Sequence, residues 1–514
     1  MNGTTETVKH AAIYSAAAML GKLIGFMMLP FYAHKLGTAG YGIIGMVDAS
    51  LSLLTGFIAY GLRGTLIRLY HGEEDKHGKN LVISTGLWLT TIMVASLVLI
   101  AGIFSVPLSE FLFGMSDLSL ILLLALGSFL FDTVGQTAGT VLIIERRSVI
   151  FSVIGLIRLV VGLSLNILLI IVFDYGVYGF FISALVCALL SLAIFSYYSI
   201  TQCGLGYDRD IAGKIVRYHS PLVPGALISF FALQSERILL RFFESIQKVG
   251  ILEMAYKFPT LIMILIHTPM MRSWDTERVS LAEEKGEGAS EYIGSIASLS
   301  LLLCSTGALL IAVCIDDILK ITTPPDFWEA TRIAQIECVT LVLYSITFHV
   351  NFGYFLKKDT KSWTILTSSI AILKVALSAY FIYVWGLWGA AYSALICQAL
   401  TLILSMRGGQ ARFYIKYNHN VNFTIVTLAT CIFIATELLS SNLAAYAETI
   451  ANILSPMVNV SIEPSTLEKL WAKLPLLIDM CLRALFCLPM FGLLFYLYPE
   501  ARKKVVNKMM RRTT

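Results

Sequence analysis

The chain has 514 residues, of which 57% are apolar and 14% charged, with a mean hydropathy of +0.77 and a formal net charge of +5. Soluble domains are about 45–50% apolar and about 25% charged, so the composition excludes a soluble globular protein, a disordered chain, collagen and a disulfide-stapled secreted scaffold. The positive balance is not pooled on one segment and marks no nucleic-acid partner, and most of the 9 cysteines sit singly in apolar stretches without metal-ligand spacing.

A membrane-crossing helix needs about 20 mostly apolar residues. In chain order, fourteen segments meet that requirement: 10–33, 41–62, 80–104, 118–143, 149–173, 176–198, 217–240, 249–271, 292–315, 331–356, 362–383, 386–406, 421–438 and 476–498. The runs are continuous and do not alternate, which argues against a β-barrel. The reading is therefore an all-α polytopic membrane protein with about 14 transmembrane helices. The polar residues 1–9 lack a small-residue cleavage site, so the first run is expected to stay as a span.

With the N-terminus on the cytoplasmic side, the connections place 25 Lys and Arg inside and 5 outside. This is the asymmetry of the positive-inside rule, and it puts both termini in the cytoplasm. The loops are too short for a soluble catalytic domain. The longest external one, 439–475, holds a stretch at 443–454 that reads as an interfacial helix or as a polar connector. The basic tail either binds anionic lipid headgroups or only fixes topology.

The chain repeats itself. Residues 175–192 and 385–402 are identical at 8 of 18 positions at an offset of 210, sharing Gly-x-x-Gly and Ser-Ala-Leu-x-Cys. Each segment follows a basic loop, Arg146-Arg147 in one half and Lys357-Lys358 in the other. Nearer the front of each half, residues 42–46 face residues 250–254 at an offset of 208. Spans one to six and seven to twelve thus read as two parallel copies of a six-helix lobe. The expected domains are an N-lobe at 1–205, a C-lobe at 206–410, and two extra spans with a basic cytoplasmic tail at 411–514.

Eight Lys and Arg fall inside spans: Lys22, Arg158, Arg237, Arg241, Lys257, Arg332, Lys374 and Arg483. A central charge costs about 2.5–3.5 kcal/mol on insertion scales, so these residues call for a polar cavity or a counter-charge. Candidate counter-charges are Asp48, Asp132, Glu236, Glu253, Glu337 and Glu437. Glu437 and Arg483, in the last two spans, read as structural. Arg63 and Arg272 close spans two and eight at an offset of 209. Position leaves two roles open for them, phosphate ligands through the planar guanidinium fork or ordinary positive-inside anchors. Gly21-x-x-x-Gly25 and Gly135-x-x-x-Gly139 permit close helix approach.

Several motifs in order resemble one family. They are Gly21 to Pro30 followed by Leu36-Gly-Thr-Ala-Gly-Tyr-Gly42, Gly61-Leu62 with Arg68-Leu-Tyr70, Ser220-Pro-Leu-Val-Pro-Gly225, Ser235-Glu-Arg-Ile-Leu-Leu240, and Gly386-Leu-Trp-Gly-Ala-Ala391. Over about residues 10–410 the chain resembles the Wzx-type oligosaccharide flippases of the multidrug/oligosaccharidyl-lipid/polysaccharide exporter superfamily. The resemblance implies two six-helix lobes around a central cavity and carriage of a polyprenyl-pyrophosphate-linked glycan from the inner to the outer leaflet by alternating access. By similarity to the branch that flips the peptidoglycan precursor, Lys22, Arg63 and Arg272 are the pyrophosphate candidates, with Arg158 and Lys374 next, facing the glycan. Asp48, Asp132 and Glu253 are candidates for a coupling H+ or Na+ site.

The resemblance further implies undecaprenyl-pyrophosphate glycan and membrane lipids as partners, a polysaccharide polymerase complex downstream, a bacterial inner-membrane location, and no cofactor. A drug or cation antiporter of the same superfamily is the nearest alternative; it usually stops at 12 spans and wants a more acidic cavity. A membrane polymerase or ligase is disfavoured, because residues 439–475 carry Lys469 and Lys473 as their only Lys or Arg and no His. No Walker A motif is present. A transporter is expected, not an enzyme.

Overall fold

In hydrocarbon a backbone must satisfy its own N–H and C=O groups, and an apolar run does this as a helix. The computed structural model describes residues 21, 23–58, 62–454 and 464–497, and among the described residues there are helices and no strand. Twelve helical stretches are long and apolar enough to cross a membrane. They cover thirteen of the expected spans, because Ile246–Thr322 is one continuous helical run that takes in both 249–271 and 292–315, turning at the left-handed Gly286. The remaining expected span, 10–33, lies mostly outside the described residues. The protein is a multi-pass helical membrane protein.

The helices used below are α1 (Leu29–Ile58), α2 (Leu62–Gly72), α3 (Lys76–Ile103), α4 (Ser119–Ala138), α5 (Ser148–Asn166), α6 (Gly176–Cys203), α7 (Val223–Phe243), α8 (Ile246–Ile262) and α9 (Thr268–Lys285). They continue as α10 (Ser290–Thr322), α11 (Ala330–Val350), α12 (Thr360–Trp385), α13 (Leu387–Arg412), α14 (His419–Leu438), α15 (Ser440–Leu454), α16 (Pro464–Leu485) and α17 (Leu488–Leu497). By packing, the chain divides into a first unit, residues 1–253 with 371–390, and a second unit, residues 254–370 with 391–514. The expected 205/206 boundary divides the sequence repeat; the 253/254 boundary divides the packing.

In the first unit, α4 lies closely against α6 and α1 packs on α7. Helices in lipid associate by close packing, since lipid tails are as apolar as leucine. Gly135 supplies that closeness: a Cβ there would stand 3.1 Å from the Leu192 backbone, and one on Gly139 would stand 3.2 Å from the Phe195 ring. Among the described residues the other glycine pair does not act this way, since Gly21 meets only the Leu159 side chain at 3.8 Å and Gly25 meets nothing within 4 Å. The identical spacing shows that a helix can be approached, not that it is.

Traces of the repeat are visible in the backbone. Arg146 and Lys358 both adopt positive φ, 56° and 55°. Beside them, the Arg147 N–H donates to the Leu142 carbonyl at 2.8 Å and the Asp359 N–H donates to the Tyr354 carbonyl at 2.9 Å. Gly176 and Gly386, the shared glycines of the 18-residue match, open α6 and α13 with φ of 53° and 55°. The two front segments go further, for they touch. A Cβ on Gly42 would strike the carbonyl of Ile246, and one on Gly250 would strike the carbonyl of Thr38. Under the offset of 208, Thr38 corresponds to Ile246 and Gly42 to Gly250. The contact is therefore reciprocal, each copy offering the same glycine to the same carbonyl.

The pairings between loops follow the expected sides. Lys35 reaches Asp174 at 3.0 Å, both from connections assigned outside, while Lys214 with Glu73 at 3.7 Å and Lys416 with Glu291 at 3.2 Å join connections assigned inside.

The second unit is organised around α10, which packs against α11, α14, α16 and α17. Leu302, Ile425, Cys487 and Met490 are buried together there. Residues 443–454 are helical, within α15, and α15 packs on α16. Its stripe of Leu443, Ala447 and Ala451 is buried inside the protein.

Candidate functional site

In the first unit three of the cations expected within spans, Arg158, Arg237 and Lys374, meet a carboxylate. On α4, Asp132 and Gln136 stand one turn apart and so share a face. Arg158 of α5 donates through Nη1 to Asp132 Oδ1. Arg63 of α2 donates through Nη2 to Gln136 Oε1 at 3.1 Å. Two guanidiniums thus address successive turns of one helix that supplies a single carboxylate, and this group is cationic by one charge.

A second group centres on α7, where Glu236 and Arg237 are neighbours. Lys374 of α12 holds Glu236 Oε1 at 2.9 Å, with the Glu236 side chain only 3% exposed. Arg237 donates through Nε to Glu253 of α8. Glu253 is able to lie there because Gly45 of α1 has no side chain: a Cβ on Gly45 would stand 2.6 Å from Glu253 Cγ. Gly45 and Glu253 are equivalent positions of the repeat at the 208 offset. The charge therefore sits where the two copies differ, covering the glycine of the other copy.

The structure thus joins residues that the sequence had assigned to separate tasks. The cation Arg158 meets the coupling candidate Asp132, and the coupling candidate Glu253 meets Arg237. Lys374 meets Glu236, 138 residues away, and no periodicity announces that pair. Asp48 on α1 and Arg272 on α9 of the second unit are both exposed. Lys22 lies outside the described residues.

The second unit carries charges whose partners the sequence leaves unnamed. Glu437 and Arg483 are not partners: Arg332 takes Glu437 at 2.9 Å, and Arg483 takes Asp479 at 2.9 Å with Asp317 at 3.4 Å. Asp317 had been placed in a loop because the ninth span was ended at 315, whereas α10 runs on to Thr322. Asp479 lies within the last expected span and was overlooked beside Arg483. A cavity of about 450 Å³ adjoins this group, lined among others by Asp316, Lys320, Thr331, Arg332, Glu437 and Arg483.

Outside the spans, Asp359 receives Arg412 Nε at 2.9 Å and Nη2 at 2.5 Å, and the Ser362 N–H at 3.1 Å. These donors, the Arg412 guanidinium above all, hold its carboxyl down to about 2. The pair ties the basic loop of the second half to the end of α13.

A duplicated set of membrane-crossing helices with ion pairs at span depth defines a polytopic membrane protein with a polar interior. Residues 7–274, just over half of the chain, match the family model described as polysaccharide biosynthesis protein, and the chain belongs to that family. Its fold is shared with the lipid II flippase MurJ in an inward closed conformation, at a TM-score of 0.71 and 14% identity over 94% of this chain and 99% of that one. It is also shared with an inward-facing multidrug resistance MATE family transporter of the MOP superfamily, at 0.63 and 15% over 77% and 98%. Both are described as transport proteins and neither as an enzyme. Among curated proteins, an Lsg locus protein of Haemophilus influenzae is 33% identical over 95 residues, 18% of this chain and 23% of its own length. An uncharacterized membrane protein of the same organism is 30% identical over 79 residues, 15% of this chain and 19% of its own. The chain thus spans less than a quarter of the length of these curated relatives.

Proposed function

We propose that the protein is a flippase that moves a polyprenyl-pyrophosphate-linked oligosaccharide, the repeat unit of a surface polysaccharide, from the inner to the outer leaflet of the bacterial inner membrane by alternating access. Membership of the polysaccharide biosynthesis family carries this reading. The charge pattern of the first unit supports it. Arg158 holds the group's single carboxylate, Asp132, and Arg63 beside it rests on the neutral Gln136, so the group has a positive charge to offer a pyrophosphate. A guanidinium paired with Asp132 through one nitrogen can exchange that carboxylate for phosphate oxygens and take up a two-pronged contact there. The paired state meets the cost of keeping the cation at span depth while cargo is absent.

Arg272 and Lys22 belong to the same proposed pyrophosphate set, and Lys374 to the glycan. Both termini face the cytoplasm in this reading, and the emerging glycan passes to a polymerase that builds O-antigen or exopolysaccharide. An H+ or Na+ gradient, or the membrane potential, drives the cycle.

The test is translocation of a lipid-linked oligosaccharide in proteoliposomes, wild type beside the double variant Arg63→Ala with Arg272→Ala. The expected result is normal insertion with flipping slowed about tenfold or more, about 1.4 kcal/mol of lost interaction. Unchanged flipping would make the two arginines topology anchors. A wild-type protein that moves no glycan-lipid from several pathways but exchanges cations or drugs would favour the antiporter.

A further inference from the structure

The charged groups around the second unit's cavity do not balance. Asp316 is matched by Lys320 at 2.7 Å, and Glu437 by Arg332 at 2.9 Å. That leaves Asp317 of α10 and Asp479 of α16 with Arg483 as their one cation among the described residues. All three are nearly enclosed, at 1%, 4% and 7% exposure. Arg483 gives its hydrogen bonds, from Nε and Nη2, to Asp479 Oδ2. Asp317 Oδ2 stands 3.4 Å from the same Nε, directed into the cluster, and has no hydrogen-bond partner among the described residues; neither has Asp479 Oδ1.

Two carboxylates on one guanidinium leave a net negative charge in a dehydrated place. An uncompensated buried charge costs several kcal/mol and is relieved by a counter-ion or a proton. Among the described residues the neighbours offer no further unmatched cation. On α10, Asp316 and Lys320 neutralise each other; on α16, Cys481 lies beside Asp479 and Arg483; Cys314 and Cys487 are buried nearby; and α11 and α14 bring the Arg332–Glu437 pair, with Glu337 also buried on α11. Arg483 also forms part of the cavity wall. The cavity is therefore lined by the same arginine that holds both aspartates, and Thr331 Oγ1, buried in the lining, is a further oxygen without a partner among the described residues.

We infer that Asp317 and Asp479, with Arg483, form a binding site for one monovalent positive charge, a proton or a sodium ion, reached through the cavity between α10, α11, α14 and α16. Both ions answer the same chemistry, that of carboxylate oxygens with one charge in excess. The site differs from the carboxylates singled out by sequence. Of those, Asp132 and Glu253 each have a guanidinium of their own.

The test uses full-length protein in nanodiscs, with melting temperature recorded against pH and against Na+ replaced by choline. If sodium is bound, the wild type melts higher in Na+ than in choline. If a proton is bound, the wild type gains stability as pH falls and ignores Na+; the folded state then holds a proton that the unfolded state releases, which is the required sign. In either case Asp479→Asn and Asp317→Asn lose the response, because one neutral amide removes the excess charge. Infrared difference spectra of the wild type alone guard against variants that do not fold. A protonated carboxyl band at neutral pH, or a carboxylate band that moves on adding Na+, supports the site. A wild type that shows neither band change, or variants whose pH and Na+ profiles superimpose on the wild type, would overturn it. The readout is cation binding and not transport, so its failure and that of the flippase reading are separable.

Discussion

The two units arrange their span-depth charges on different principles. In the first, three carboxylates each have a cation of their own: Asp132 with Arg158, Glu253 with Arg237, Glu236 with Lys374. Arg63 is then left on the neutral Gln136, so the balance tips positive. In the second, Asp317 and Asp479 share Arg483, and the balance tips negative. One-to-one pairs stabilise helix contacts and can release a cation to an anionic cargo. A shared cation instead creates a demand that protein side chains leave unmet. The same residue types therefore serve opposite ends, and the ratio within each cluster decides which.

Removing a cation should separate the clusters most clearly. Arg483→Met leaves two enclosed carboxylates facing each other, and a loss of about 3–5 kcal/mol is expected, enough to lower the yield of folded protein. Fluorescence-detected gel filtration after graded heating checks this. In the first unit, Glu236→Gln strands the Lys374 ammonium, with a somewhat smaller expected cost of about 2–4 kcal/mol because that side chain is 18% exposed. Adding Lys374→Met should recover most of it, since an apolar pair of similar volume replaces a buried ion pair at little cost. A double variant no more stable than Glu236→Gln would show that the two residues are not partners in energy.

The smallest effect belongs to the half-buried link outside the spans, Asp359 with Arg412. The Asp359 carboxyl lies at about 2 in the folded protein, below the value of about 3.9 in an unfolded chain. Its contribution is fully present above the unfolded value and disappears as pH falls through the folded one. Melting curves of wild type and Asp359→Asn should therefore run a constant distance apart near neutral pH and converge in acid. Curves that stay parallel into acid would remove Arg412 as the cause.

What the sequence disclosed follows from which forces are local. Spans are legible because hydrocarbon imposes a length and a polarity on each helix separately, and thirteen expected spans recur as helices. The repeat is legible because it is an identity between segments, and Gly176 and Gly386 keep it down to the sign of φ. Ion pairs are not local. Arg158 and Asp132 lie 26 residues apart on different helices. Nothing in either helix names its partner; only the packed structure does. The same limit leaves the partners of Arg483 and Glu437 unnamed, and a span ended seven residues early leaves out Asp317. Gly21-x-x-x-Gly25 and Gly135-x-x-x-Gly139 have identical spacing, and among the described residues only the second meets a helix backbone.

The reciprocal meeting of Gly42 with Ile246 and of Gly250 with Thr38 has a historical consequence. Contacts in which position i of one copy touches position j of the other, and j touches i, are the mark of a two-fold homodimer. A six-helix ancestor could have made this contact with a second molecule of itself before the genes were joined. In such a dimer every substitution at the seam appears twice, so a glycine and an acid could not stand at one aligned position on opposite sides. Fusion lifts that constraint. Gly45 and Glu253 occupy such a position, and their difference is the asymmetry that a single chain permits and a pair of identical chains forbids.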